Sequence, residues 1–177
     1  MVCCRSGSGG AVGRRVWLVF KRDQLVYDIA NMAYVESHVM AEEEEHGRHV
    51  LADVAEAGNV DRVTRVLDLA HAAAVEMLYP LTRGEVWCGE SVSDELTEAA
   101  SYCIELWLPE GFSRTTVGLL EKLVHEYMTA RALADWLSVT KPEASANWAA
   151  KAEEAAREID RAKHQRRGGL TRPMAPF

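Results

Sequence analysis

Thr115-Thr116-Val117-Gly118-Leu119-Leu120-Glu121-Lys122-Leu123-Val124-His125-Glu126-Tyr127-Met128, continued by Leu133, Trp136 and Leu137, is the stretch that decides the fold. Its apolar residues recur at steps of three and four, the spacing that places them on one buried face of a long helix. A second helix follows almost at once. Thr140-Lys141-Pro142-Glu143 has the form of a capping box, in which the threonine hydroxyl and the glutamate carboxylate each accept from an orphan backbone N–H and proline sits in the first turn. Trp148, Ala152, Ala155 or Ala156, Ile159 and Ala162 then form a narrow, alanine-rich stripe. So little bulk on one face predicts a helix packed close to its neighbour.

Working outward, the 177 residues are enough for one domain with its own core and too few for two ordinary ones. Hydrophobic content of 48% and charged content of 27% are globular values, which excludes wholesale disorder. The net charge of −7 is unevenly spread. From Arg157 onward six basic residues face two acidic ones, a local +4 that leaves −11 for the rest and suggests a C-terminal end that seeks an acidic surface. Cys3, Cys4, Cys88 and Cys103 lack paired C-x-x-C spacing, which fits a reducing compartment. No apolar run approaches the roughly 20 residues that span a bilayer, and Val16 to Phe20 is shorter than the about 7–15 residues of a signal-peptide core.

Residues 1–19 read as a disordered leader, with the Gly/Ser-rich Ser6-Gly7-Ser8-Gly9-Gly10 at its centre. The ordered domain is expected over 20–165. Asp23 can cap a helix carrying Leu25, Ile29, Met32, Val35 or Glu36, and Val39, and Gly58-Asn59 supplies a stop. From Asn59 or Asp61 a further helix carries Val63, Val66, Leu67, Ala70, Ala74, Met77 and Leu78 as far as Pro80. Between about 84 and 109 the helical period is lost, and Tyr102 to Leu108 is a strand-like run closed by Pro109-Glu110-Gly111. Its partner is either Glu85 to Cys88, as a hairpin, or a strand supplied by a neighbouring subunit. The fold class is therefore mainly α: a helical bundle with long C-terminal helices, a small β insert, and an extended basic tail over 166–177.

The densest group of possible ligands is Glu42, Glu43, Glu44, Glu45, His46 and His49. Glu43 and His46 have the Glu-x-x-His spacing of di-iron carboxylate bundles, but no second such motif occurs, so a solvated acidic face is the better reading and no metal or cofactor is expected. His125-Glu126 and Asp135-Trp136 lack a nucleophile elbow or oxyanion loop and are expected to border the core. No catalytic residue is assigned. The tail has three readings, a frayed end, a nucleic-acid contact or a docking peptide; Leu170, Met174 and Phe177 are apolar anchors on a proline-stiffened segment that also carries Arg166, Arg167 and Arg172, a mixture that suits docking in a groove better than tracking phosphates.

The segments Thr115 to Tyr127 and Arg131 to Leu137, then Pro142 to Trp148, a second long helix and a basic end, resemble the last two helices of the small connector, or adaptor, proteins of tailed bacteriophages and prophages. Asp61 to Leu78 is similar to an earlier core helix of those proteins. The resemblance implies a non-enzymatic virion protein of the neck, assembled in the bacterial host cytoplasm as a homo-oligomeric ring of about a dozen copies below the portal. It further implies portal and other neck or tail proteins as partners, no membrane, and DNA passing through the channel without sequence-specific binding, past an acidic lumen. Under it, Arg166, Arg167, Leu170, Arg172, Met174 and Phe177 dock on the portal, and Trp107, Trp136 and Trp148 pack between subunits. The alternatives are a bacterial helical protein-binding module that uses the same tryptophans, and a carboxylate-bridged metalloprotein built on Glu43 and His46.

Overall fold

The strand expected around Tyr102 finds its partner near the other end of the sequence. The computed structural model describes residues 13–38, 53–82 and 99–164. Strand β1, Arg14–Lys21, pairs antiparallel with β2, Ser101–Leu108, in a register running from Arg14 opposite Leu108 to Lys21 opposite Ser101. Residues 14–19 are thus ordered, which corrects the expected leader boundary; residues 1–12 lie outside the described residues. The physical reason is alternation. Val16, Leu18 and Phe20 point to one face, as do Tyr102, Ile104, Leu106 and Leu108 on the partner, and the two apolar rows cover each other's helical neighbours. Glu85 to Cys88, the hairpin partner considered above, lies outside the described residues.

Helix α1, Arg22–His38, begins at the residue after the strand, and the Arg22 N–H donates to Ala100 O at 3.2 Å, extending the ladder into the helix. Leu25, Ile29, Ala33 and Ser37 form its buried stripe, each four residues from the last. Of the two residues the periodicity left open, Val35 is exposed and Glu36 turns toward the body. A short 3₁₀ turn, Asp53–Ala55, precedes helix α2, Ala57–Met77. Val63, Leu67, Ala70 and Ala74 face inward from α2, with Val66 and Met77 half-buried beside them.

Helix α3, Arg114–Thr140, is the centre of the molecule, with α1, α2 and its successor all packed on it. That explains why burial spreads around it from Tyr127 to Leu137, taking in Ala130, Ala132 and Ala134 as well as Leu133 and Trp136. Leu119, grouped with the apolar face by spacing, is 43% exposed, while Leu120 beside it is fully buried. Helix α4, Pro142–Lys163, turns back after a single non-helical residue. Lys141 ends one helix and begins the next: its N–H donates to Leu137 O at 2.8 Å and its own carbonyl accepts from Ala144 N at 3.1 Å.

The expected capping box does not form. Thr140 is still helical, so its hydroxyl donates back to Trp136 O at 3.2 Å and is aimed away from the first turn of α4. Pro142 takes the first helical position, where its missing N–H costs nothing. Ala144, Ala152, Ala155, Ile159 and Ala162 are buried, and the Ser145 hydroxyl donates across the turn to Ala134 O at 2.9 Å. With methyl groups at most contact positions, the two backbones approach closely. At the far end Lys163 Nζ donates to Met77 O at 2.6 Å, setting a cation on the carbonyl end of α2.

Candidate interaction surface

A two-stranded sheet has two faces and two edges, and the inner face is consumed by the core. The other face carries the odd-numbered residues: Arg15, Trp17, Val19 and Lys21 on β1, against Trp107, Glu105, Cys103 and Ser101 on β2. Trp17 and Val19 are each 50% exposed. Trp107 is shielded from above by Arg15, whose guanidinium lies 4.8 Å from the ring centroid and 3.6 Å from the Glu105 carboxylate. Among the described residues the Trp107 Nε1–H has no hydrogen-bond partner.

The edges differ. Trp107 N–H donates away from β1, to Leu81 O at 2.7 Å, and Cys103 O lies 3.2 Å from His71 Nε2 on α2. Odd-numbered residues of β2 therefore turn their main-chain groups outward, and α2 and the turn after it occupy that edge. In an antiparallel ladder the residues opposite them do the same on the far side. So the N–H and C=O groups of Arg15, Trp17, Val19 and Lys21 face outward along β1, and among the described residues nothing bonds to them. One row of residues thus supplies both an exposed apolar surface and an unpaired strand edge.

Where β1 begins and β2 ends, a cleft of about 630 Å³ opens against the first turns of α3. Arg14 and Arg114 line it with Glu110 and Glu121, a balanced set of charges, and Phe112 forms its apolar wall. Gly111, at φ +82°, supplies the left-handed turn that closes β2.

Two polar networks join the elements from within. Tyr102 donates to Asp68 Oδ1 at 2.8 Å, with the His71 ring 5.3 Å away by centroid. Burial, and then the Asp68 carboxylate, push the Tyr102 phenol well above its ordinary range, with Arg22 opposing weakly. His125 Nε2 lies 2.8 Å from Asp28 Oδ2, while Gln24 Nε2 donates to Asp28 Oδ1 at 3.0 Å. This network ties α3 to α1 beside Phe20. Glu126, next in sequence, faces instead toward Lys151 on α4 at 3.4 Å, so His125 and Glu126 do not act as a pair. Asp135 is held by Arg62 of α2 at 2.8 Å. Among the described residues, no three His, Cys, Asp or Glu side chains gather as metal ligands.

The chain matches no family model, no curated protein and no solved structure.

Each of the three tryptophans singled out by sequence is engaged within the chain. Trp136 is 6% exposed in the core, and Trp107 lies under Arg15. Trp148 Nε1 donates to Glu36 Oε1 at 3.0 Å, with Lys151 Nζ 4.7 Å from its ring centroid. Among the described tryptophans the exposed one is Trp17, hidden in the sequence because it sits beside the Gly-rich leader. No local signal marks it, because Val16 to Phe20 is apolar throughout and its two faces are set only by pairing with β2. Arg166, Arg167, Leu170, Arg172, Met174 and Phe177 lie outside the described residues, as do Glu43 and His46.

Proposed function

We propose that this chain is a structural assembly protein, a head-to-tail connector that forms a ring below a phage portal and docks through its C-terminal segment. The observation that carries the reading is the α3–α4 hairpin and the way it ends. Two antiparallel helices of 27 and 22 residues make a continuous post. The last turn of that post is pinned to the body by Lys163 on Met77 O. The sequence that follows, with Arg166, Arg167 and Arg172 interleaved with Leu170, Met174 and Phe177, therefore departs from a fixed point. A basic and apolar segment leaving a rigid post is suited to insertion between subunits of an acidic ring. The resemblance of these two helices to the connector family supports the same reading.

Truncation after Gln165 tests it, because the helices end before that point. The truncated chain should keep its helical circular dichroism and lose co-sedimentation with a portal ring from the same genome. Undiminished co-sedimentation would remove the docking role. Mass photometry adds a second arm: the full chain with portal should form assemblies of about a dozen copies.

The exposed Trp17 and Val19 favour a second reading, a helical protein-binding module that works as a single copy. Such a module stays monomeric with portal present and captures its partner through the sheet.

A further inference from the structure

The outward edge of β1 is charged in one sense only. Arg15 and Lys21 bracket Trp17 and Val19 on the exposed row, Arg14 adjoins them, and β1 contains no acidic residue. Arg15 is 60% exposed even with Glu105 3.6 Å away. The main-chain groups of this same row face outward, as the ladder geometry above requires, and among the described residues they are unpaired. Open strand edges recruit extended chains by completing the hydrogen-bond ladder, while side-chain pockets at alternate residues select which chain.

We propose that the β1 edge takes up an extended acidic peptide as a third, antiparallel strand. Its side chains, read at every second residue, are a carboxylate opposite Arg15, apolar groups opposite Trp17 and Val19, and a carboxylate opposite Lys21. The two carboxylates are six residues apart, about 20 Å along a strand. Directly opposed cross-strand pairs of opposite charge and of apolar groups each favour the added strand.

A second copy of β1 is the wrong occupant. Antiparallel self-pairing centred on Leu18 sets Arg15 of each copy against Lys21 of the other, two like-charge oppositions in one short strand. The inference goes beyond the connector reading, since the edge is complete in one copy and needs neither ring nor portal.

The probe is a fluorescein-labelled heptapeptide with glutamate at its first and last positions, valine at the third and fifth, and threonine between. Titrating it with the full-length chain should give saturable anisotropy. Replacing both glutamates by lysine should weaken binding at least about tenfold. N-methylation of the two valine amides, which removes donors to the ladder, should also weaken it about tenfold. Val19→Pro deletes one outward N–H, and proline is tolerated where an edge N–H faces solvent. This variant should therefore keep its circular dichroism and lose affinity. Should it unfold, the N-methylated peptide on the unaltered chain decides the matter. Absence of saturable binding up to about 1 mM, equal binding of the lysine peptide, or equal binding of the N-methylated one overturns the proposal. So does a dimer of the chain that Val19→Pro dissolves, which would make a second copy the occupant. Repeating the titration after truncation at Gln165 separates the two readings: peptide binding should persist where portal binding is lost.

Discussion

The α3–α4 hairpin and the β1–β2 ribbon solve the problem of burying an apolar face in opposite ways. The hairpin joins neighbours in sequence across one residue, and its alanine stripe is covered by its own partner helix. The ribbon joins residues 14–21 to residues 101–108, so the 79 residues from 22 to 100 lie within the loop it closes. Loop closure of that span is costly in chain entropy, and the ribbon forms only because its inner face completes a core assembled by the helices. What results is a post covered by its own two helices together with α1 and α2, and a sheet that, among the described residues, is covered on one side only. Interaction capacity is found where local structure leaves polar edges and apolar surface together.

If both regions belong to one cooperative core, equal cavities should cost equally. Leu133→Ala in α3 and Ile104→Ala in β2 each empty a site with 0% exposure. Each should destabilise by about 2–5 kcal/mol in urea denaturation. Both should leave a single transition whose slope is unchanged. A separate early transition for Ile104→Ala would show that the ribbon melts apart from the post. The next effect is smaller and tests close approach. Ala155→Leu puts bulk where α4 meets its neighbour and should cost about 1–3 kcal/mol. Ala150→Leu, on the exposed side of the same helix, should stay within about 0.5 kcal/mol. Similar costs at both positions would mean that the alanine stripe is not a tight seam.

The hairpin was legible in the sequence because both helices are long and their apolar periods are sustained. Even the inward residues Trp148, Ala152, Ile159 and Ala162 follow from spacing alone. The turn was not. Thr140 has a residue type that serves equally as a cap and as a helical residue bonded to its own preceding turn, and only the length of α3 decides between them. The ribbon was half legible for a different reason. Tyr102 to Leu108 alternates and reads as a strand, whereas Val16 to Phe20 is a continuous apolar run that alternates only once the partner defines which face is inward. A long-range pairing leaves no local mark, so the edge carrying Trp17 and Val19 was out of reach, and the tryptophans chosen instead are those with intramolecular partners.

Tyr102 joins the two regions, since its ring belongs to β2 and its hydroxyl donates to Asp68 on α2. Tyr102→Phe should cost about 1 kcal/mol at neutral pH, the net worth of one such hydrogen bond. The pH dependence is more telling. Folding holds the phenol protonated beyond its ordinary range, so the native state binds more protons than the unfolded chain once pH exceeds about 10. The stability gained is fully present below that pH and is lost as pH rises through the folded-state value. Between about pH 8 and pH 11 the urea midpoint of the wild type should therefore fall more steeply than that of Tyr102→Phe. Parallel decline would mean that ionisation of this phenol is not coupled to the join.

The smallest effect is expected at Trp17, and it bears most directly on the contrast between a finished post and an unfinished sheet. Half of this side chain is in solvent, and its neighbour Leu18 is 3% exposed. Trp17→Thr replaces an aromatic residue by a β-branched one, both suited to a strand, so its stability should remain within about 0.5 kcal/mol of the wild type. Leu18→Ala, one residue away on the opposite face, should lose about 2–5 kcal/mol. A large loss at Trp17 would mean that the outer face is already packed against the chain, and the sheet would then be closed on both sides like the post. Near-neutrality combined with loss of heptapeptide binding is the pattern of a surface residue retained for a partner, because its bulk contributes nothing measurable until an added strand lies against it.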